Sequence, residues 1–331
     1  MLKVDVYAHI LPSKFMEAFH KKGSGKSGYW DLHHRWPTLH DLDMRFRIMD
    51  RHEGYVQILN ITQPPLEDEV SPDVAADLAK LANDEMAELI IKYPDRFVAA
   101  VACLPMNNMD AALKETDRAI KDLRFMGVQI TSNIMDKSLD SPEFEPLFEK
   151  MNYYNLPILI HPRNMQSGPR AFLRTGRGTA GWSAQSPFNW PFETTLAMGC
   201  IVFSGMLNKY PNLKVITHHC GGLAPYQADR IARQQELPSM GFTKNVLEYY
   251  KMIYGDTACW GNTAALMCGY TFFGAEHMLF GTDFPFGAQG GEAFVTDTIR
   301  SVEEMGIPEE DRKKIFEDNA RKLFRLLRVI I

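Results

Sequence analysis

Long apolar runs are missing from this 331-residue chain. None reaches the roughly 20 residues that cross a bilayer, which argues against a membrane protein. The first apolar run starts at residue 3 and leaves no room for a leader peptide. Cysteine is sparse: five residues, an odd number, with no Cys-x-x-Cys pair. That pattern excludes a disulfide framework and a zinc knuckle, and reads as buried thiols in a reducing cytoplasm. Excess positive charge is also absent. The net charge is -5 and the pI is near 6.1, so the chain carries no electrostatic footprint for nucleic acid. No linker, repeat or low-complexity tract divides the sequence, and one domain is expected over residues 1–331.

What the chain does have is alternation. Short apolar runs at 3–8, 55–60, 97–103, 127–132, 156–161, 213–218, 252–257 and 277–282 are separated by helical patterns. Strands alternating with helices in this way predict an α/β protein, a (β/α)8 TIM barrel rather than a doubly wound sheet. Ser71-Pro72-Asp73 reads as an N-cap with proline at the first helical position. Further helices are expected over about 109–124 and over 192–208, where Glu193 suits the helix dipole. A last helix over 311–328, with Leu323, Leu326 and Leu327, is expected to close the barrel floor. Two insertions follow strands 1 and 5. Residues 13–48 carry Trp30, His33, His34 and Trp36, which suggest a substrate lid. Residues 162–190 carry Arg163, Arg170, Phe172, Trp182 and Trp190. Loops that follow barrel strands lie at the catalytic face.

The chemistry sits where apolar runs end. His9 closes the first run, His161 the fifth, His218 and His219 the sixth, and Asp283 the eighth. Side chains at these strand ends converge on one mouth, and imidazole with carboxylate suits a divalent transition metal such as zinc, manganese or iron. Strand parity places Asp5, Tyr7 and His9 on one face, all pointing inward, with Asp5 deepest and orienting a ligand from behind. Parity also sends the neighbours His218 and His219 opposite ways. His219 is expected inward, because Cys220-Gly221-Gly222 follows it and glycine lets backbone approach a ligand. One expected part is lacking. A metal strand commonly ends in His-x-His, and here Tyr7 takes the first position. A neutral phenol, with a pKa of about 10, is a poor ligand, so Tyr7 is read as a contact to substrate, water or metal.

These residues resemble the amidohydrolase superfamily, in particular the group of aminocarboxymuconate-semialdehyde decarboxylase and γ-resorcylate decarboxylase. The likeness runs through Asp5-x-Tyr7-x-His9-Ile-Leu-Pro, Tyr93-Pro-Asp-Arg-Phe, Leu156-Pro-Ile-Leu-Ile-His161-Pro, Trp190-Pro-Phe-Glu193, His219-x-Gly-Gly and Gly281-Thr-Asp283-Phe-Pro. It implies a metal-dependent, non-oxidative decarboxylase of an aromatic or unsaturated carboxylic acid, working as a homodimer or higher homo-oligomer. It also implies His9, His161 and Asp283 as ligands of one divalent metal, zinc or manganese, with His219 and Asp283 as the catalytic groups. The fourth strand offers Gln129 and Thr131 rather than lysine, which favours a mononuclear site over a carbamate-bridged pair. Arg163, by position and charge, is expected to pair with the substrate carboxylate, and Tyr7 and Trp190 to complete the substrate site.

Two rivals remain open at this level. The same ligands would serve a hydrolase or hydratase in which His219 or Asp283 is the general base toward water. Alternatively, Tyr7 marks a barrel that has lost its metal and acts as a binding protein.

Overall fold

The computed structural model describes residues 1–25, 30–62, 64–163, 185–236 and 242–326. Its frame is a succession of parallel strands: β1 (Lys3–Ile10), β2 (Tyr55–Ile61), β3 (Phe97–Ala100, continued by Ala102–Cys103), β4 (Val128–Thr131), β5 (Pro157–His161), β6 (Lys214–Thr217), β7 (Tyr254–Asp256) and β8 (Met278–Leu279). Each strand pairs in parallel with the next in sequence: β1 with β2, β2 with β3, then Ala102–Cys103 with β4, and so on to β8. Backbone bonds join the two sheets, from Val101 N–H to the Leu59 carbonyl at 3.0 Å and from Ala102 N–H to the Gly127 carbonyl at 2.9 Å. The chain beyond β8 returns to β1: Val6 N–H donates to the Phe280 carbonyl at 3.0 Å, and His9 N–H to the Phe284 carbonyl at 2.7 Å.

Helices form where the apolar spacing predicts them. Helix α1 (Pro72–Lys92) buries Ala75, Leu78, Ala79, Ala82 and Met86 in rows three and four apart. Proline opens it as expected, but the Ser71 hydroxyl makes no capping bond. Helix α2 (Met109–Lys121) is capped instead by Asn108, whose side chain accepts from the Ala111 N–H. Helix α3 (Trp190–Phe203) carries Glu193 in its first turn and is followed, past Gly205, by the separate turn Met206–Lys209. The single C-terminal helix expected over 311–328 is broken into Glu309–Lys313, a π-helical turn Lys314–Asp318, and Asn319–Leu323. Leu327 lies outside the described residues, as do Arg170, Phe172 and Trp182 of the second insertion.

Two apolar clusters sort the strand residues by face. The larger packs strands against helices. The smaller holds Val4, Val6, Tyr7, Val56, Ile58, Leu159, Ile216 and Leu279, together with Ala320, Leu323 and Phe324 from below. Val6 and Tyr7 are consecutive yet share this inner cluster, because the register of β1 shifts between Asp5 and Ala8. The irregularity corrects the parity expectation for β1. Asp5 does not sit beneath His9. It accepts from the Tyr55 hydroxyl at 2.6 Å and from the Thr282 N–H at 3.0 Å, and Tyr55 belongs to the helix-facing cluster. Burial raises its pKa against four hydrogen bonds that lower it. Asp5 thus ties β1 to the residue just before Asp283.

Candidate active site

Four side chains from four strand ends meet at one point. His9, His161, His218 and Asp283 each offer one ligand atom, and these atoms lie within 4.8 Å of one another. All four residues are buried. His9 Nε2 and His218 Nε2 each stand 3.3 Å from Asp283 Oδ1. A cation bound at about 2.0–2.2 Å from each donor needs donors no more than about 4.4 Å apart. The group meets that with adjustments of a few tenths of an ångström. Neither ring nitrogen of His9, nor His218 Nε2, has a hydrogen-bond partner, although all are buried. Buried polar atoms are costly when unpaired, and a cation at their common focus would satisfy them.

The electrostatics agree. Burial alone would suppress charge on His218, yet Asp256 and Asp283 on either side push its pKa up to about 10. Burial opposes the Asp283 carboxylate, but the charge of His218 and the close approach of His219 and His9 hold it well below the usual range. This focus is arranged for positive charge. His161 is driven the other way, well below its ordinary value, by burial first and then by His9 and His218. Its Nδ1 meets the Pro162 carbonyl at 2.8 Å, which leaves Nε2 to face the focus.

Parity fails a second time at β6. His218 continues the extended backbone (φ -78°, ψ 162°) and is the one in the cluster. The chain then enters the left-handed region at His219 and Cys220, each with φ +53°. That turn brings His219 to the same side instead of the opposite one, stacked on His218 with ring centroids 3.9 Å apart. A side chain at Gly222 is impossible, since its Cβ would stand 2.1 Å from the Pro191 carbonyl oxygen. The turn is therefore pressed against the start of α3. From there Trp190 stacks on His219, centroids 5.9 Å apart and planes 11° apart. His219 Nε2 is 3.7 Å from Asp283 Oδ2, and both of its ring nitrogens lack hydrogen-bond partners.

Tyr7 and Arg163 do not take the substrate-binding roles expected of them. The Tyr7 ring is fully buried and stacks on His218 at 4.0 Å and 15°. Its hydroxyl donates to the Ile160 carbonyl at 3.1 Å, with the Ile216 carbonyl at 3.4 Å. Burial, then Asp256 and Asp283, raise its pKa well above the usual value, so it stays a neutral phenol. Tyr7 is the floor on which His218 rests. Arg163 is buried, and its fork is occupied: Nε and a terminal nitrogen bind Asp68 at 2.8 and 2.5 Å, and the other terminal nitrogen binds Asn133 and Asp136. Four of its five N–H donors are thus committed to neighbours within the protein.

With this geometry in view, a comparison decides the family. The amidohydrolase family model matches residues 4–326. The chain belongs to the amidohydrolase family. A γ-resorcylate decarboxylase of Polaromonas sp. is 30% identical over 88% of this chain and 91% of its own. A 2-amino-3-carboxymuconate-6-semialdehyde decarboxylase of Dictyostelium discoideum is 27% identical over 98% and 92%. Among solved structures, 2,6-dihydroxybenzoate decarboxylase in complex with 2,6-dihydroxybenzoate superimposes with a TM-score of 0.83 at 26% identity, covering 98% of this chain and 99% of that one. The dihydroxybenzoic acid decarboxylase of Polaromonas sp., with bound manganese and the inhibitor 2-nitroresorcinol, gives 0.81 at 28% identity, covering 98% and 97%.

Two residues of this amidohydrolase site escaped the sequence reading. His218 was set aside on parity. Asp256 closes β7. One of its oxygens meets His218 Nδ1, and the other accepts from Cys220 N–H at 2.9 Å and Ala258 N–H at 3.0 Å. It therefore fixes the tautomer of His218 and directs Nε2 at the focus. The signal that exposed His9 and Asp283, a polar residue closing an apolar run, was present there as well. The first insertion does reach the site, through Trp36. Its ring meets Phe286 edge-on at 5.1 Å, and Phe286 lies 5.6 Å from His9. No described helix is long and apolar enough to cross a membrane.

Proposed function

We propose that this amidohydrolase is a mononuclear, metal-dependent carboxy-lyase that decarboxylates an aromatic carboxylic acid without an oxidant. The observation that carries the reading is the convergence of four buried donors, His9, His161, His218 and Asp283, within 4.8 Å. Decarboxylase relatives along nearly the whole chain support it, one of them solved with manganese. The scaffold is a closed (β/α)8 barrel in one domain over residues 1–331. The bonds of Val6 and His9 to Phe280 and Phe284 favour that closure.

The four donors hold one divalent cation, manganese or zinc. When bound, it supplies the positive charge that orients the acid's oxygens and stabilises the developing anion. The chain's own residues do the rest. His219 moves the proton. Burial lowers its pKa, so it rests neutral. Asp283 at 3.7 Å stabilises its imidazolium once a proton arrives. That proton goes to the ring carbon as CO2 departs, so the electron pair of the C–C bond ends in the new C–H bond. Trp190 clamps the imidazole by stacking and presents its own edge to the substrate. On the same reading the protein works in the cytoplasm as a homodimer or larger homo-oligomer, and light scattering checks the assembly.

The test joins metal analysis to a CO2-release screen over hydroxybenzoates and muconate-type acids. One tightly bound transition metal per chain and CO2 from at least one acid are expected. No CO2, with solvent 18O entering a product, would move the assignment to the hydrolase or hydratase. Absence of tight metal binding would overturn both.

A further inference from the structure

The mouth has a second side. Beside β2, β3 and β4 lies a recess walled by Ile61, Pro65, Leu104 and Met106, with Thr62, Glu67, Gln129 and Thr131 as its polar groups. It holds about 40 Å³ of space for the centres of water-sized spheres, against the roughly 10–15 Å³ one water requires. A ring substituent fits there. Its place relative to the metal donors follows from register. Ile61 pairs with Ile10, one residue past His9, and Thr131 pairs with His161 itself. Neighbouring strands lie about 4.8 Å apart, so the recess adjoins the strands that carry His9 and His161.

The polar groups of the recess are incompletely satisfied. Val128 and Ile130 belong to the helix-facing cluster, so Gln129 and Thr131 face the mouth. Gln129 donates to the Ile61 carbonyl at 2.7 Å, but its Oε1 has no partner. Thr62 is 95% buried, and its hydroxyl has none either. The Glu67 carboxyl is met by its own backbone N–H and by a long bond from the Thr131 hydroxyl, at 3.5 Å. Burial first, then Asp68, push its pKa up to about 7, with Arg163 and Thr131 opposing. No lysine or arginine lines the recess among the described residues. The nearby Arg163 gives four of its five donors to Asp68, Asp136 and Asn133.

Such a recess suits an uncharged group that both gives and takes a hydrogen bond. It repels a second carboxylate, which would find no cation there and would face Glu67. We propose that Glu67, with Thr62 and Gln129, forms a hydroxyl subsite that makes the enzyme select phenolic monocarboxylates over dicarboxylates. The proposal deepens the decarboxylase reading and rests on it for the direction of the carboxyl group.

Calorimetric titration of metal-loaded protein tests the subsite without turnover. The ligands are resorcinol, phenol, benzoate and isophthalate. Wild type binds resorcinol about tenfold more tightly than phenol, the worth of one good buried hydrogen bond, and isophthalate more weakly than benzoate. Glu67→Gln keeps the shape and removes the charge. It strengthens isophthalate binding about tenfold, leaves benzoate unchanged, and leaves the metal content unchanged. A merely structural role for Glu67 would not produce that selective gain. Thr62→Val, which disturbs no existing hydrogen bond, weakens resorcinol about threefold and phenol not at all. Equal shifts for all four ligands, no shift, or no binding of any of them would overturn the subsite. If Glu67→Gln shows the selective gain while no acid yields CO2, the subsite stands and the decarboxylase assignment falls. If CO2 is released and selectivity ignores Glu67, the reverse holds.

Discussion

The two sides of the mouth are built on opposite principles. On the side of β1, β5, β6 and the segment after β8, each candidate metal donor is buried, and His218 and Asp283 are braced from behind. Asp256 orients His218, Tyr7 supports its ring, and Asp5 secures the residue preceding Asp283. On the side of β2, β3 and β4, no lysine or arginine lines the recess among the described residues. A carboxyl group of intermediate pKa, a half-used amide and an unpartnered hydroxyl line a small recess. The contrast separates two tasks. Holding a cation demands fixed donors, since an error of a few tenths of an ångström already matters. Recognising a substituent needs only groups whose hydrogen bonds are still to be made, and these can be exchanged without dismantling the reaction centre.

The comparison breaks most sharply at the donors. His161→Ala should abolish tight metal binding and lower CO2 release about a thousandfold or more, read by elemental analysis and a coupled CO2 assay. Next comes Arg163→Ala, which leaves Asp68 and Asp136 without their buried partner. Stability should fall by about 3–5 kcal/mol in a denaturant titration, because the pair is buried, whereas KM of any folded fraction stays put. A rise in KM at unchanged stability would restore Arg163 to the substrate. Asp256→Asn should weaken metal affinity by about 10–100-fold, as loss of a ligand's orienting partner does, with the fold intact by circular dichroism. Tyr7→Phe should cost about 1 kcal/mol for its lost hydrogen bond to backbone carbonyls, and metal content should not change.

The smallest effect belongs to the recess. Glu67 has a folded pKa raised from 4.5 to about 7. The folded state therefore holds its proton more tightly than the unfolded state. The native fold is favoured at low pH, and that advantage declines as pH rises from about 4.5 to about 7. Glu67→Gln should raise the melting temperature at pH 8 relative to wild type more than at pH 5. Equal shifts at the two pH values would show that Glu67 is not held in a desolvating recess.

Much of this was written in the order of residue types. The strand cores, the alternation, and His9, His161 and Asp283 as run-closing residues were all readable, because burial and the alternation of polar and apolar residues are local properties. What parity assigned wrongly, it assigned at irregular backbone. The register shift in β1 carries Asp5 out of the inner face, and the left-handed pair His219–Cys220 brings two adjacent histidines to one side. Neither residue type announces such a conformation. Arg163 misled for another reason. Its partner Asp68 stands 95 positions away, and a positive charge near a mouth looks the same in sequence whether free or paired. The C-terminal helix was read as continuous because its apolar spacing tolerates the π-helical turn over Lys314–Asp318.

The stack of Tyr7 on His218 has a consequence for how such a site can change. Position 7 lies in stacking contact with position 218 beside the focus, so the donor count can depend on both. His218→Ala alone leaves three donors; Tyr7→His alone crowds a fifth against four. Changed together, they give four again, with one ligand moved from the sixth strand to the first. The two substitutions should therefore be harmful singly and compensating in combination, a case of sign epistasis that a double-mutant cycle on metal affinity would register as strong non-additivity. A lineage could cross between the two arrangements only through a weakened intermediate, which makes the tyrosine a historical commitment as well as a structural one.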